Sequence, residues 1–213
     1  MNNDKCLLKV PTPYQLGIIF SLYSFKSKEN KVIFSHRDKY FLEQIQPLFI
    51  GNIEKYIVKP SGNIRYRLIT RPFAFLKQYF ESSELLEKNL TTLPKLKDYH
   101  DFLRAYIEIN GVLYFKYYYR KDINTCEFKH RLRFIQQKDV IEQIKEKLMI
   151  DIGININATT KMHKNSNRVA ILITKMDSLK KIYNKYKDDK ENFKNFWDKF
   201  SKCLEMENKR GLL

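Results

Sequence analysis

The sequence contains few of the residues that build disulfide frameworks, phosphate loops or membrane spans. Its 213 residues include three cysteines, Cys6, Cys126 and Cys203, whose odd number and wide spacing argue against a disulfide framework or a zinc knuckle. Its six glycines form no glycine-rich phosphate loop. No apolar run approaches the roughly 18 residues of a membrane span, and the N-terminus lacks the apolar core of a signal peptide. We therefore expect no membrane partner and a cytoplasmic protein, nucleoid-associated if bacterial, with an organelle left open.

Metal-ligating patterns are also missing. The four histidines, His36, His100, His130 and His163, are scattered, and their spacing predicts no metal site. His130 is expected to be an interior strand residue, because it alternates with basic residues in a β-rich segment. We therefore expect neither a bound metal nor a cofactor from these residues.

Positive charge is what the sequence has in excess. The net charge is +16 and the isoelectric point is near 9.6, which point to a polyanionic partner. Apolar residues make up 43% of the chain and aromatic residues 14%, enough for a folded core rather than a disordered chain.

One stretch organises the chain. Residues 102–109 carry apolar side chains at helical spacing, with the small residue Ala105 among them. Gly111 predicts the end of this helix, and the aromatic segment 112–120 predicts a strand that begins at once. Glu108 and Asn110 lie in the last turn of the predicted helix.

The same order of elements is predicted twice. In the first half, helix 11–24 carries Gly17 and Ser21 four residues apart, a small-residue pair that permits close helix contact. The polar stretch 83–98 predicts a linker, and residues 188–209 predict a last helix whose stripe of Phe193, Phe196, Trp197 and Phe200 packs on the body. The other predicted elements are a short strand pair (23–25 and 32–35), helix 40–49, hairpin 55–70, helix 71–82, and then hairpin 112–134, helix 139–150, hairpin 154–174 and helix 177–186.

The segment Leu103–Gly111 resembles the LAGLIDADG motif of homing endonucleases, and helix 11–24 lies where a first motif helix would. The resemblance implies an α+β fold of two αββαββα half-domains with a pseudo-twofold axis, an antiparallel β saddle and an added C-terminal helix. It places the boundaries at 1–83, 84–98 for the linker, 99–187, and 188–213 for the extension. It also implies that Gly17, Ser21 and Ala105 lie where the two motif helices pack.

The resemblance further implies one metal-binding acid at the end of each motif helix. Leu22 and Asn110 occupy those positions here, and neither is a carboxylate. A hard divalent cation prefers carboxylate oxygens. Glu108 lies about 200° from Asn110 around the helix, so we expect a solvent-facing or capping acid and keep it as the fallback ligand. The expectation is therefore no nuclease activity, with Mg²⁺ relevant only if the nuclease alternative holds.

Both long hairpins alternate basic and apolar residues, which predicts one basic and one core-facing side for each. A two-stranded ribbon fits the DNA major groove, where arginine can hydrogen-bond guanine edges and lysine or tyrosine can hold phosphates. A solvated sheet face is the alternative. The candidate DNA-binding residues are Lys55, Lys59, Arg65, Arg67, Tyr114, Lys116, Tyr118, Arg120, Lys129, Arg131 and Arg133.

The sequence therefore predicts a monomer with internal pseudo-symmetry that binds double-stranded DNA selectively without cleaving it, as a regulator would. One alternative is an active LAGLIDADG homing endonuclease, or an intron maturase that binds RNA. Another is an interaction protein whose basic face binds an acidic partner.

Overall fold

The computed structural model describes residues 10–22, 25–26, 31–49, 51–70, 76–80, 90–121, 124–156, 159–161, 167–187 and 193–210. The chain forms two compact units, residues 1–98 and 99–213. Within the described ranges, no helix is long and apolar enough to cross a lipid bilayer.

The first unit contains one antiparallel sheet, in which the strands lie in the order β1-β2-β4-β3. Its first helix begins with a reciprocal cap: the backbone N–H of Thr12 donates to the Gln15 side chain at 2.8 Å, and that of Gln15 donates to the Thr12 hydroxyl at 3.2 Å. The elements are α1 (Pro13–Leu22), β1 (Phe25–Lys26), β2 (Lys31–His36), α2 (Lys39–Ile45), a 3-10 turn (Gln46–Leu48), β3 (Gly51–Val58), β4 (Asn63–Thr70) and α3 (Leu76–Tyr79).

The second unit repeats this order with a longer first hairpin and longer helices, adds a last helix, and its strands lie in the order β5-β6-β8-β7. The helix predicted around residues 102–109 ends at Asn110, and a strand begins two residues later, as the sequence indicated. The elements are α4 (His100–Asn110), β5 (Val112–Arg120), β6 (Thr125–Gln137), α5 (Lys138–Ile152), β7 (Thr159–Lys161), β8 (Arg168–Ile173), α6 (Met176–Tyr186) and α7 (Lys194–Arg210).

Each sheet buries one face under helices. In the first unit Phe34 and Leu68 are paired across β2 and β4, and both are completely buried. Leu42 and Ile45 of α2 are also fully buried, and the Phe49 ring lies 4.7 Å from the Phe34 ring. Because successive side chains of a strand point to opposite sides, the other face of this sheet points away from α2.

In the second unit the motif helix α4 packs on the sheet through aromatic residues. Tyr106 is fully buried, and its ring lies 5.9 Å from the ring of Phe134 on β6. The predicted docking of the last helix is confirmed: Phe193, Trp197 and Phe200 are buried within this unit. Helix α7 therefore packs on the second unit through these large apolar rings, while its other side carries charged residues.

Several predicted segments lie partly outside the described residues, including strand 23–25, hairpin 154–174, helix 188–209, helix 71–82 and the linker. Of the helix predicted at 71–82, the structure describes α3 and Phe80, so its remaining length stays a prediction. Residues 90–98 of the predicted linker are described and contain neither helix nor strand, and both Leu90 and Leu93 are buried. The boundaries at 83, 98 and 187 stay predictions.

Candidate nucleic-acid interface

The β5–β6 hairpin has one basic face. Residues that pair directly across an antiparallel ladder lie on the same face, and here Tyr114 pairs with Arg131 and Lys116 with Lys129. The pair Val112 and Arg133 extends this face at one end. The face contains five cations and one carboxylate: Lys116, Arg120, Lys129, Arg131, Arg133 and Glu127.

Two tyrosines support the cations on this face. The Arg131 guanidinium lies 5.1 Å from the ring centre of Tyr114. The ammonium groups of Lys116 and Lys129 lie 5.4 Å and 5.3 Å from the ring centre of Tyr118. The tyrosine hydroxyls hydrogen-bond to each other, which raises the pKa of the Tyr114 hydroxyl. These contacts restrict where the three cations can point.

The reverse face of the same hairpin is apolar and contacts α7. The Tyr117 hydroxyl donates a 2.7 Å hydrogen bond to the carbonyl oxygen of Met206. Tyr117 pairs with Phe128, which is buried, and His130 pairs with Phe115 on this same face. The placement predicted for His130 is therefore confirmed. The last helix supports the hairpin from behind its basic face.

The β3–β4 hairpin of the first unit carries less net charge. Arg65 pairs with Tyr56, and Arg67 pairs with Glu54, so all four side chains lie on the face opposite the core. Nε and Nη2 of Arg67 donate to the same oxygen of Glu54 at 3.0 Å and 2.8 Å. The Arg67 guanidinium also lies 5.6 Å from the Tyr56 ring centre. The alternating pattern of the sequence did not predict this ion pair between Arg67 and Glu54.

The predicted grouping of Lys55 with the arginines is wrong. Lys55 pairs with Tyr66, so it lies on the opposite face from Arg65 and Arg67, near the exposed end of the core side. Residues 59–62 form the turn, and the pairing of Val58 with Asn63 decides which residues oppose each other. The alternation of residues along each strand did not reveal this, because it does not fix which residues of the two strands pair. Lys59 lies in the turn itself and belongs to neither face.

The two positions that the resemblance assigns to metal-binding acids each lie at the end of a helix. Leu22 is the last residue of α1, and Asn110 is the last residue of α4. The Asn110 amide donates to the Tyr106 carbonyl oxygen at 3.3 Å, within its own helix. Gly17 and Ala105 are buried, and the Ser21 hydroxyl donates to the Gly17 carbonyl oxygen at 2.8 Å. Their role in helix packing stays a prediction.

Glu108 contradicts the expectation of a solvent-facing or capping acid. Its side chain is 6% exposed, and its Oε1 accepts a 2.6 Å hydrogen bond from the Trp197 indole of α7. The stripe that contains Trp197 was visible in the sequence, but its partner on another helix was not. A buried carboxyl group that is hydrogen-bonded inside one unit is poorly placed to hold a cation beside a phosphate.

The residues at the ends of the motif helices do not fit a catalytic magnesium ion. Mg²⁺ needs carboxylate oxygens from the protein, whereas Leu22 has no side-chain oxygen and Asn110 has one neutral amide oxygen. Among the residues that the structure describes, no cluster of three or more His, Cys, Asp or Glu side chains is arranged to hold a metal ion.

These two repeated units have the fold of the single-chain LAGLIDADG homing endonucleases. The solved structures most similar to this chain include two of I-SmaMI, one bound to an uncleaved DNA target with calcium ions and one bound to uncleaveable DNA. The first is 14% identical, with a TM-score of 0.58 and coverage of 96% of this chain and 94% of that chain. The second is 14% identical, with a TM-score of 0.60 and coverage of 94% and 91%.

The homing endonuclease I-GzeII, solved in complex with its DNA target, is 13% identical, with a TM-score of 0.58 and coverage of 96% of this chain and 93% of that chain. No protein-family model and no curated protein matches the sequence. At these identities the likeness establishes the fold.

Proposed function

We propose that this protein binds double-stranded DNA selectively by sequence and does not cleave it, acting as a regulator on a homing-endonuclease fold. The observation that carries the proposal is the basic face of the β5–β6 hairpin, where five cations share one side of a two-stranded ribbon. A ribbon of this kind fits the major groove. The structural neighbours I-SmaMI and I-GzeII are themselves solved with DNA targets.

Within this proposal the side chains divide by chemistry. Arginine is the residue suited to bidentate hydrogen bonds with guanine, and lysine suits phosphates and guanine O6 or N7. Tyr114 and Tyr118 hold the cations and offer hydroxyls to the backbone of the duplex. We assign base contacts to Lys116, Lys129, Arg131, Arg133, Arg65 and Arg67, whose charges also neutralise the phosphates that flank the groove, and phosphate contact to Arg120.

The absence of cleavage is the second part of the proposal, and it rests on residue chemistry. Neither Leu22 nor Asn110 supplies a carboxylate, and Glu108 is buried against Trp197. The protein would act as a monomer in the cytoplasm, or on the nucleoid of a bacterium.

A selection experiment tests this function. The full-length protein is incubated with a randomised duplex library, and the recovered sequences are then measured by fluorescence anisotropy between about 50 and 200 mM salt. We expect one enriched motif and an affinity that falls by orders of magnitude over this range. A flat salt response would contradict electrostatic binding and favour an acidic protein partner. Preference for a structured RNA over the selected duplex would favour the maturase alternative.

A further inference from the structure

The two long hairpins share a strand pattern but differ in the charge that they offer. On the outer face of β3–β4, Arg67 is the cation in closest contact with an acid, because two of its N–H groups are already donated to Glu54. Arg65 is the other cation on this hairpin face. Within the described residues, no carboxylate forms an ion pair with it.

The outer face of β5–β6 is arranged differently. Its one carboxylate, Glu127, lies 3.5 Å from Lys129. In the described part of the chain, no ion pair or hydrogen bond joins Lys116, Arg131 or Arg133 to an acid. Lys116 and Arg131 instead lie over tyrosine rings, which restrict their movement without cancelling their charge.

We propose that the two hairpins contribute unequally to DNA affinity. The β5–β6 hairpin supplies most of the phosphate neutralisation, and Glu54 suppresses the contribution of Arg67 on the β3–β4 hairpin. This inference rests on the proposed function. It adds that the part of the DNA site bound by the β5–β6 hairpin provides most of the binding affinity. A guanidinium that already faces a carboxylate presents a dipole to a phosphate rather than a full charge, and the carboxylate itself repels the phosphate.

The inference predicts how the salt dependence of DNA affinity changes when cations of each hairpin are replaced. Each phosphate contact contributes about 0.9 to the slope of log affinity against log salt concentration. Replacing Lys116 and Arg131 by glutamine should therefore lower the slope by about 1.8. Replacing Arg67 together with its partner Glu54 by glutamine should leave the slope nearly unchanged, since the ion pair that is removed carries no net charge.

The decisive variant is Glu54→Gln, which removes the carboxylate and keeps the size of the side chain. It should strengthen binding and make the salt slope steeper by about 0.9, because Arg67 becomes available to a phosphate. Glu43→Gln is the matched control. Glu43 is also exposed and pairs with a cation, Lys39, at 2.5 Å, but it lies on α2, which packs on the other face of the sheet.

The experiment is a salt titration by anisotropy of the wild type, Glu54→Gln, Glu43→Gln and the two double variants on one selected duplex. We expect Glu54→Gln alone to gain affinity, and the Lys116/Arg131 double variant to lose more slope than the Glu54/Arg67 double variant. Equal gains for Glu54→Gln and Glu43→Gln would overturn the inference, because net charge alone would then explain them. Equal losses in the two double variants would overturn it as well. A wild type without salt-sensitive duplex binding would instead refute the proposed function.

Discussion

The Trp197 indole nitrogen donates a 2.6 Å hydrogen bond to the Glu108 carboxyl group, and this bond joins the last helix of the chain to the motif helix α4. Both side chains are buried, at 3% and 6% exposure. The same last helix accepts the Tyr117 hydroxyl from the back of the basic hairpin. Helix α7 therefore connects the helix that ends at Asn110 with the strand that carries the basic face.

Trp197→Phe should lower the free energy of unfolding by about 1–3 kcal/mol, because it leaves the buried Glu108 oxygen without this donor. Urea unfolding followed by circular dichroism measures the effect, since Trp197 is the single tryptophan and its fluorescence disappears in the variant. Tyr117→Phe is the comparison, with an expected loss of about 0.5–1.5 kcal/mol for a neutral, partly buried hydrogen bond. An unchanged urea midpoint for Trp197→Phe would show that the bond contributes nothing to stability.

Gly111 and Gly62 should respond differently to alanine, because the fold requires glycine at the two positions for different reasons. A Cβ on Gly111 would lie 2.3 Å from the Ile107 carbonyl oxygen, although its φ of −73° suits any residue. Gly62 has a φ of +67° and open space around it. Gly62→Ala should cost about 1 kcal/mol through its left-handed backbone. Gly111→Ala should cost more, because backbone must move. Equal thermal midpoints would contradict this ranking.

Bulk at the small buried positions of the motif helices should destabilise the fold. Ala105 is completely buried, and Gly17 is buried on α1. Ala105→Leu and Gly17→Leu should each cost roughly 1–3 kcal/mol through overpacking. Asn184→Leu, at an exposed position of α6, is the control and should change the thermal midpoint little. A wild-type midpoint for Gly17→Leu would argue against a close helix contact there.

The wild type should not cleave its selected duplex in either Mg²⁺ or Mn²⁺. Asn110→Asp alone should not create double-strand cleavage, since Leu22 still provides no ligand on the other helix. Denaturing gels of end-labelled duplex, run with and without chelator, measure this. Products that vanish with chelator and also in Glu108→Gln would identify Glu108 as a metal ligand and restore the nuclease alternative.

Cys203 should stay unreactive in the folded protein at pH 8. Its side chain is fully buried, and burial raises the pKa of the thiol to about 11. In a Cys6→Ser/Cys126→Ser background, a thiol reagent should modify it in urea but not under native conditions. Rapid native modification would show that α7 detaches from the unit.

Because the pKa of the Cys203 thiol is raised in the folded protein, the free energy of unfolding should fall at alkaline pH. The unfolded thiol releases its proton near pH 9, whereas the folded thiol holds its proton until about pH 11. The stabilisation is therefore complete below pH 9 and is lost as the pH rises through 11. Burial also raises the pKa of the Tyr106 hydroxyl, which likewise lowers the free energy of unfolding at alkaline pH. Urea unfolding at pH 8 and pH 10.5 should show a smaller drop in Cys203→Ala than in the wild type.

Strand alternation in the second unit was predictable because it depends only on local order. A period of two across residues 112–134 separates Lys116 and Arg131 from Phe115 and Leu132 whatever the rest of the chain does. Helix α4 was predictable for a similar reason, since its apolar spacing and the following glycine act over a few residues. The absence of carboxylates at Leu22 and Asn110 likewise follows from residue identity and one aligned motif.

Other features required the tertiary structure, because they join residues that are distant in sequence or depend on register. The turn at residues 59–62 decides that Glu54, and not Lys55, opposes Arg67, since shifting the pairing by one residue exchanges the faces. The burial of Glu108 depends on Trp197, which lies 89 residues away on another helix. A composition of basic and apolar residues thus determined that the protein carries cationic strands. Packing and register decided which of those cations are neutralised and which acid is buried, because both are set by contacts that no local pattern encodes.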